Sequence, residues 1–168
     1  MATTTFTGPV RSLNGFISFG DGAVVTPPAF STLVLTPAEH AGRIIRVTGP
    51  AGTIRLPTIN DAASGGGYDS DNNLGVTYTF VMDIVPTNLK IATDGVDKFF
   101  GTLSTASGVP GATILAFSAL ATNDNINFNG GTTGGLASTI VRVTAVARFK
   151  YFVEGFVLGA TATPFADV

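Results

Sequence analysis

Apolar and polar positions alternate along most of this chain with the period of a β-strand. Within 76–82, Val76, Tyr78, Phe80 and Met82 fall on one face and Thr77, Thr79 and Val81 on the other, as in a strand with one buried side. The period returns at 140–147, where Ile140, Arg142, Thr144 and Val146 alternate with Val141, Val143 and Ala145. Residues 138–147 and 150–158 predict a terminal hairpin turning at Arg148-Phe149. Shorter stretches rich in Thr, Val, Ile and Phe, at 31–35, 43–48, 53–56, 89–93, 97–101 and 113–119, read as further strands, and 123–128 as a short strand or loop.

Gly and Pro interrupt these stretches too often for long helices. One helical turn is predicted at 36–42. Thr36 suits the cap, Pro37 the first helical position, Glu39 can reach back, and Gly42 stops the turn and His40 is expected to be exposed. Gly49-Pro50-Ala51-Gly52 predicts a turn that folds 43–48 and 53–56 into a hairpin carrying Arg43, Arg46 and Arg55. Asp94-Gly95 predicts a tight turn into 97–101. About ten strands separated by turns indicate an all-β fold, a β-sandwich or jelly-roll-like domain. The domain is assigned to residues 29–168. Residues 1–28, ending in Pro27-Pro28, read as an extended N-terminal arm, and residues 60–74 as a long polar loop.

Composition sharpens this picture. Of 168 residues, 12% are charged and 45% hydrophobic, and the mean hydropathy is +0.40. The charged share is about half that of an ordinary soluble domain. The longest nearly apolar stretch, 112–121, falls far short of the ~20 residues of a spanning helix, so no membrane partner is expected. The chain carries too few charges to cover a monomer's surface, and part of that surface is expected to be covered by something else. The net charge of −2 supplies no basic field for nucleic acid. With no Cys, thiolate metal sites and cysteine nucleophiles are excluded. The N-terminus has no basic segment leading into an apolar run, so synthesis in the cytoplasm without a secretory leader is expected.

The chemistry-bearing residues form no persuasive constellation. A catalytic triad needs an imidazole between a nucleophile and a carboxylate, and His40 is the one histidine. Asp69, Asp71 and Asn73 resemble the start of a calcium loop, whose alternating oxygens converge on a hard cation. Leu74 stands where such a loop wants Gly, and Phe80 where it wants a bidentate Glu. The segment therefore reads as a solvated loop, with those three residues as its metal candidates. Asp83, Asp94, Asp97 and Asp124 are the candidates for a carboxylate pair of the glycosidase type. The aromatic platforms that such enzymes use are scarce, with no Trp and three Tyr. Gly65-Gly66-Gly67 and Gly130-Gly131 lack the Gly-Lys-Ser/Thr of a phosphate-binding loop. No enzyme activity and no cofactor are expected.

Several short motifs occur in a set order: Leu35-Thr36-Pro37-Ala38-Glu39-His40-Ala41-Gly42 fits a "Leu-Thr-x-Ala-x-x-x-Gly" turn, followed by Ile44-Ile45-Arg46-Val47 and Gly52-Thr53-Ile54-Arg55-Leu56-Pro57. Gly75-Val76-Thr77-Tyr78-Thr79-Phe80, Ile91-Ala92-Thr93 and Asp97-Lys98-Phe99-Phe100-Gly101 come next. This order resembles that of tailed-bacteriophage virion proteins, in particular head decoration (cement) proteins. Lys150-Tyr151-Phe152-Val153-Glu154-Gly155 resembles a closing "Trp-x-Val-x-Gly" strand, with Tyr151 or Phe152 in place of Trp. The opening 5–16 is similar to the start of small phage head proteins. The resemblance spans 33–155, with 60–74 and 106–111 as insertions. It implies a structural protein of the virion, on the capsid exterior, bound to the major capsid protein and assembled as a homo-oligomer, a trimer. It brings no catalytic residues. Phe6, Phe16 and Phe19 of the arm are the expected partner-binding residues, buried only in the assembly. The alternatives are a tail, fibre or baseplate component and a carbohydrate-binding virion module.

Overall fold

The structure is a computed structural model, and it describes residues 23–61, 72–106, 111 and 113–167. It is a β-sandwich. The elements are β1 (Val24–Val25), β2 (Thr32–Val34), α1 (Pro37–His40), β3 (Ile44–Val47), β4 (Ala51–Arg55), β5 (Thr77–Met82) and β6 (Asn88–Ala92), then β7 (Lys98–Ala106), β8 (Leu115–Ser118), β9 (Asn125–Phe128), β10 (Ile140–Ala147), β11 (Lys150–Leu158) and β12 (Phe165–Ala166). A seven-stranded sheet has the order β1-β3-β5-β10-β11-β7-β8, and a five-stranded sheet the order β12-β9-β6-β4-β2.

From β2 to β7 the chain alternates between the sheets. Two strands of one sheet are therefore separated by one strand of the other and run in the same direction. Hence β3 is parallel to β1 and β5, and β4 is parallel to β2 and β6. This corrects the hairpin expected around Gly49-Pro50-Ala51-Gly52. That corner carries the chain from one sheet to the other, and Arg46 and Arg55 lie in different sheets. The Asp94-Gly95 turn likewise joins β6 of one sheet to β7 of the other. The terminal hairpin forms as expected, with Val143 opposite Val153 and Phe149 at φ 63° in the turn.

The expected turn at 36–42 forms as α1. Thr36 caps it by accepting the Glu39 N–H, and Gly42 at φ 68° ends it. His40 is buried, contrary to expectation, because its ring folds back on the turn and Nδ1 accepts the Thr36 N–H at 3.1 Å. β1 and β12, two residues each, are too short to give a period in the sequence. Val24–Val25 falls in the stretch read as arm, and here it pairs with β3; residues 1–22 lie outside the described residues.

The core lies between the sheets. Ile45, Tyr78, Phe80, Val141, Val143, Val153 and Leu103 come from the seven-stranded sheet, and Ile54, Leu89, Ile91, Ile126 and Phe128 from the other. Burial of these faces is the main driving force for the fold. The alternating pattern of β5 puts Tyr78, Phe80 and Met82 inside, as its sequence predicts.

Candidate functional site

The outward face of the seven-stranded sheet is organised in rows that follow the strand register. One row is polar: Thr79, Arg142, Glu154, Thr102 and Ser118 stand side by side across five strands. Arg142 and Glu154 pair at 3.1 Å, and the hydroxyls of Thr102 and Ser118 are 3.1 Å apart. Its charges are thus neutralised within the face. Apolar rows flank it. Val81, Ile140 and Phe156 align on one side, in a row that ends at Arg46 beside Val81, and Phe152 and Phe100 pair on the other with ring centroids 5.4 Å apart. Ile44, Phe100 and Ile140 are each about 40% exposed. Ile140, Arg142, Glu154, Gly155 and Phe156 line a shallow open depression of about 300 Å³. Gly155 shapes it, since a Cβ there would come within 2.4 Å of the Ile140 carbonyl oxygen.

The face ends at β8, the outer strand of its sheet. Ile114 is 64% exposed, Leu115 43% and Leu120 69%. No charged residue occurs from 99 to 123. Reading 113–119 as one more apolar strand located the element but not its exposure. A short apolar run reads the same for a buried strand and for an uncovered edge. The uncharged run was the available signal.

The carboxylates expected as a possible catalytic set are occupied in holding loops. Asp83 pairs with Arg46, whose Nε donates at 2.9 Å. Asp94 accepts the Val96 and Asp97 N–H groups and the Thr58 hydroxyl, each at 2.9 Å. Burial pushes the Asp94 carboxyl up, but these donors outweigh it and leave it below its ordinary value. Asp97 is fully buried and accepts the Ile59 N–H at 2.8 Å through Oδ2, while Oδ1 has no hydrogen-bond partner among the described residues. Burial raises its pKa against that hydrogen bond, and the Asp94 charge adds to the rise. Lys98 joins the Gly95 carbonyl at 2.8 Å to buried Asp124 at 2.6 Å. These contacts fix the β6–β7 corner and the loop after β4, and Asp83 stands apart at the end of β5, beside Arg46 of β3.

Asn73, one of the metal candidates, is buried and fastens the long loop. Its Oδ1 accepts the Asn60 N–H, and its Nδ2 donates to the Thr58 carbonyl, both at 2.9 Å. Asp69 and Asp71, and the arm residues Phe6, Phe16 and Phe19, lie outside the described residues. Among the described residues, no group of three or more His, Cys, Asp or Glu is placed to hold a metal ion. No family model matches the chain, and neither the curated proteins nor the solved structures yield a significant match.

Proposed function

We propose that the chain is a structural protein of a tailed-phage virion that binds the outer surface of the major capsid protein shell and reinforces the head. The order of the phage-like motifs is the origin of this reading. The observation that carries it is the outward face of the seven-stranded sheet, with its exposed apolar rows and internally neutralised Arg142–Glu154 pair.

With strands ~4.8 Å apart and ~3.3 Å per residue, the seven strands, two to nine residues long, cover roughly 650 Å². That is somewhat below the ~800 Å² that one partner contributes to a standard stable interface. A surface poor in charge and rich in aliphatic and aromatic groups is the composition of an interface core. The mechanism is therefore area. Each bound copy adds contacts that the assembled shell has and its separate subunits lack, and binding to one state alone stabilises that state by mass action. The arm, with Phe6, Phe16 and Phe19, adds to the contact in this reading, ordering on the shell as it binds.

Co-sedimentation with assembled empty heads tests this. The full-length chain pellets with heads and not with unassembled capsid subunits. Ile140→Glu, which places an unpaired charge in the apolar row, releases it to the supernatant. Equal pelleting of wild type and I140E, or no pelleting of either, overturns the reading.

A further inference from the structure

Among the described residues the two sheets have four outer strands, and three of them are guarded. β1 has two residues and runs into Pro27 and Pro28. β12 has two residues between Pro164 and Asp167. β2 has three residues, with Pro28 and Pro37 a few residues beyond its ends. Shortness, proline and charge are the usual devices that keep an edge from pairing with another chain. β8 is the longest of the four, with four residues, and residues 113–120 contain no proline and no charge.

Among the described residues, no strand pairs with the outer side of its backbone. The Ala119 N–H donates to the Gly101 carbonyl at 3.0 Å, and Leu103 stands opposite Phe117. In an antiparallel ladder the groups of alternate residues point to opposite sides. The N–H and C=O of Phe117 and Leu115 therefore face β7, and those of Ala116 and Ser118 face away from the sheet. What such a row recognises is another β-strand.

We propose that β8 pairs antiparallel with β8 of a second copy of this chain about a two-fold axis at Ala116, joining two seven-stranded sheets into one. The sequence is self-complementary in that register. Ala116 meets its own counterpart, and its small side chain leaves the axis uncrowded. Leu115 lies opposite Phe117 of the other copy, twice, an aromatic–aliphatic pair of the kind that stabilises neighbouring strands. That pairing covers Leu115, which is 43% exposed in one copy. Ile114 lies opposite Ser118. The run from 99 to 123 brings no charge to the junction, so identical surfaces meet without repulsion. A two-fold contact of this kind is isologous and closes. It goes beyond the capsid reading and does not depend on it.

The test is the solution mass of the full-length chain, by sedimentation or light scattering over a concentration series, with amide hydrogen exchange. The expected result is an even multiple of the 17.1 kDa chain, with exchange at Ala116 and Ser118 slowing as concentration rises. Ala116→Lys sets two ammonium groups against each other at the axis and halves the mass. Ala116→Pro does the same by removing an outward N–H that β7 does not use, and both variants keep the wild-type circular dichroism. A monomer at every concentration overturns the proposal, as does wild-type mass in either folded variant. A trimer, the order that the resemblance implies, also overturns the two-fold contact and leaves the capsid reading standing.

Discussion

The Tyr151 hydroxyl donates to the Pro57 carbonyl at 2.6 Å, so a strand of the seven-stranded sheet is tied to the chain leaving β4 of the other. Tyr78 lies close by with its hydroxyl buried and without a hydrogen-bond partner among the described residues. Burial pushes the Tyr78 phenol up to about 12 and raises Tyr151 further, where the neighbouring Tyr78, Asp97 and Asp94 add to the effect. Two tyrosines of the same core thus do different work. Tyr151→Phe strands a carbonyl and is expected to cost about 1–2 kcal/mol in urea unfolding, whereas Tyr78→Phe is expected to be neutral or stabilising. Equal losses in the two variants contradict the assignment.

Gly101 faces Val153 with φ 126°, and a Cβ there would come within 2.0 Å of the Val153 carbonyl oxygen. Neither the backbone angle nor the space admits a side chain. Gly101→Ala is expected to destabilise by roughly 2–4 kcal/mol, through strain and displacement of β7 from β11. A thermal melt within a degree or two of wild type contradicts this.

Asp94 and Asp97 respond to acid in opposite senses. The Asp97 carboxyl is held above its ordinary value of 3.8, so the folded protein binds that proton more tightly than the unfolded chain does. Its ionised form weighs against stability at neutral pH, and acidification through the folded pKa relieves this. Relative to Asp97→Asn, the wild type therefore gains stability as pH falls from 7 towards 4. Asp94 is held below 3.8. Its contribution is present above that pH and is lost as pH falls through the folded value. The deficit of Asp94→Asn at pH 7 therefore shrinks in strong acid. Urea midpoints across the pH range check both signs, and parallel slopes for the two variants contradict them.

Arg142 and Glu154 are exposed by about half. Their pairing is expected to contribute less than ~1 kcal/mol to folding, read from a double-mutant cycle. Their larger role is to leave the sheet face neutral. Arg142→Ala is expected to change the melt little and to weaken attachment to heads by leaving Glu154 uncompensated on the face. Unaltered attachment contradicts that role.

Much of the fold was legible because burial of one sheet face imposes a period of two. The inward set Tyr78, Phe80 and Met82 and the 140–158 hairpin follow from that period. The period says which side of a strand is buried but not which sheet the strand joins. For that reason the corner at Gly49–Gly52 read as a hairpin, although it crosses between sheets, and the tight turn at Asp94–Gly95 gave no sign that it does the same. The parallel neighbours that result are long-range contacts with no local signature. The site was legible only as an excess. Low charge announced surface to be covered, but its location emerged once the register aligned Ile140 with Phe156 and Phe152 with Phe100. The loop-fastening role of Asn73 was hidden because Asp- and Asn-rich loops read alike whether solvated or folded inward.

We propose that this chain reinforces an assembled shell through the face of its seven-stranded sheet. The heat stability of phage heads with and without the protein, followed by calorimetry at full occupancy, tests this. Decorated heads are expected to disrupt at a higher temperature, and Ile140→Glu to abolish the gain. An unchanged melting profile at full occupancy contradicts it.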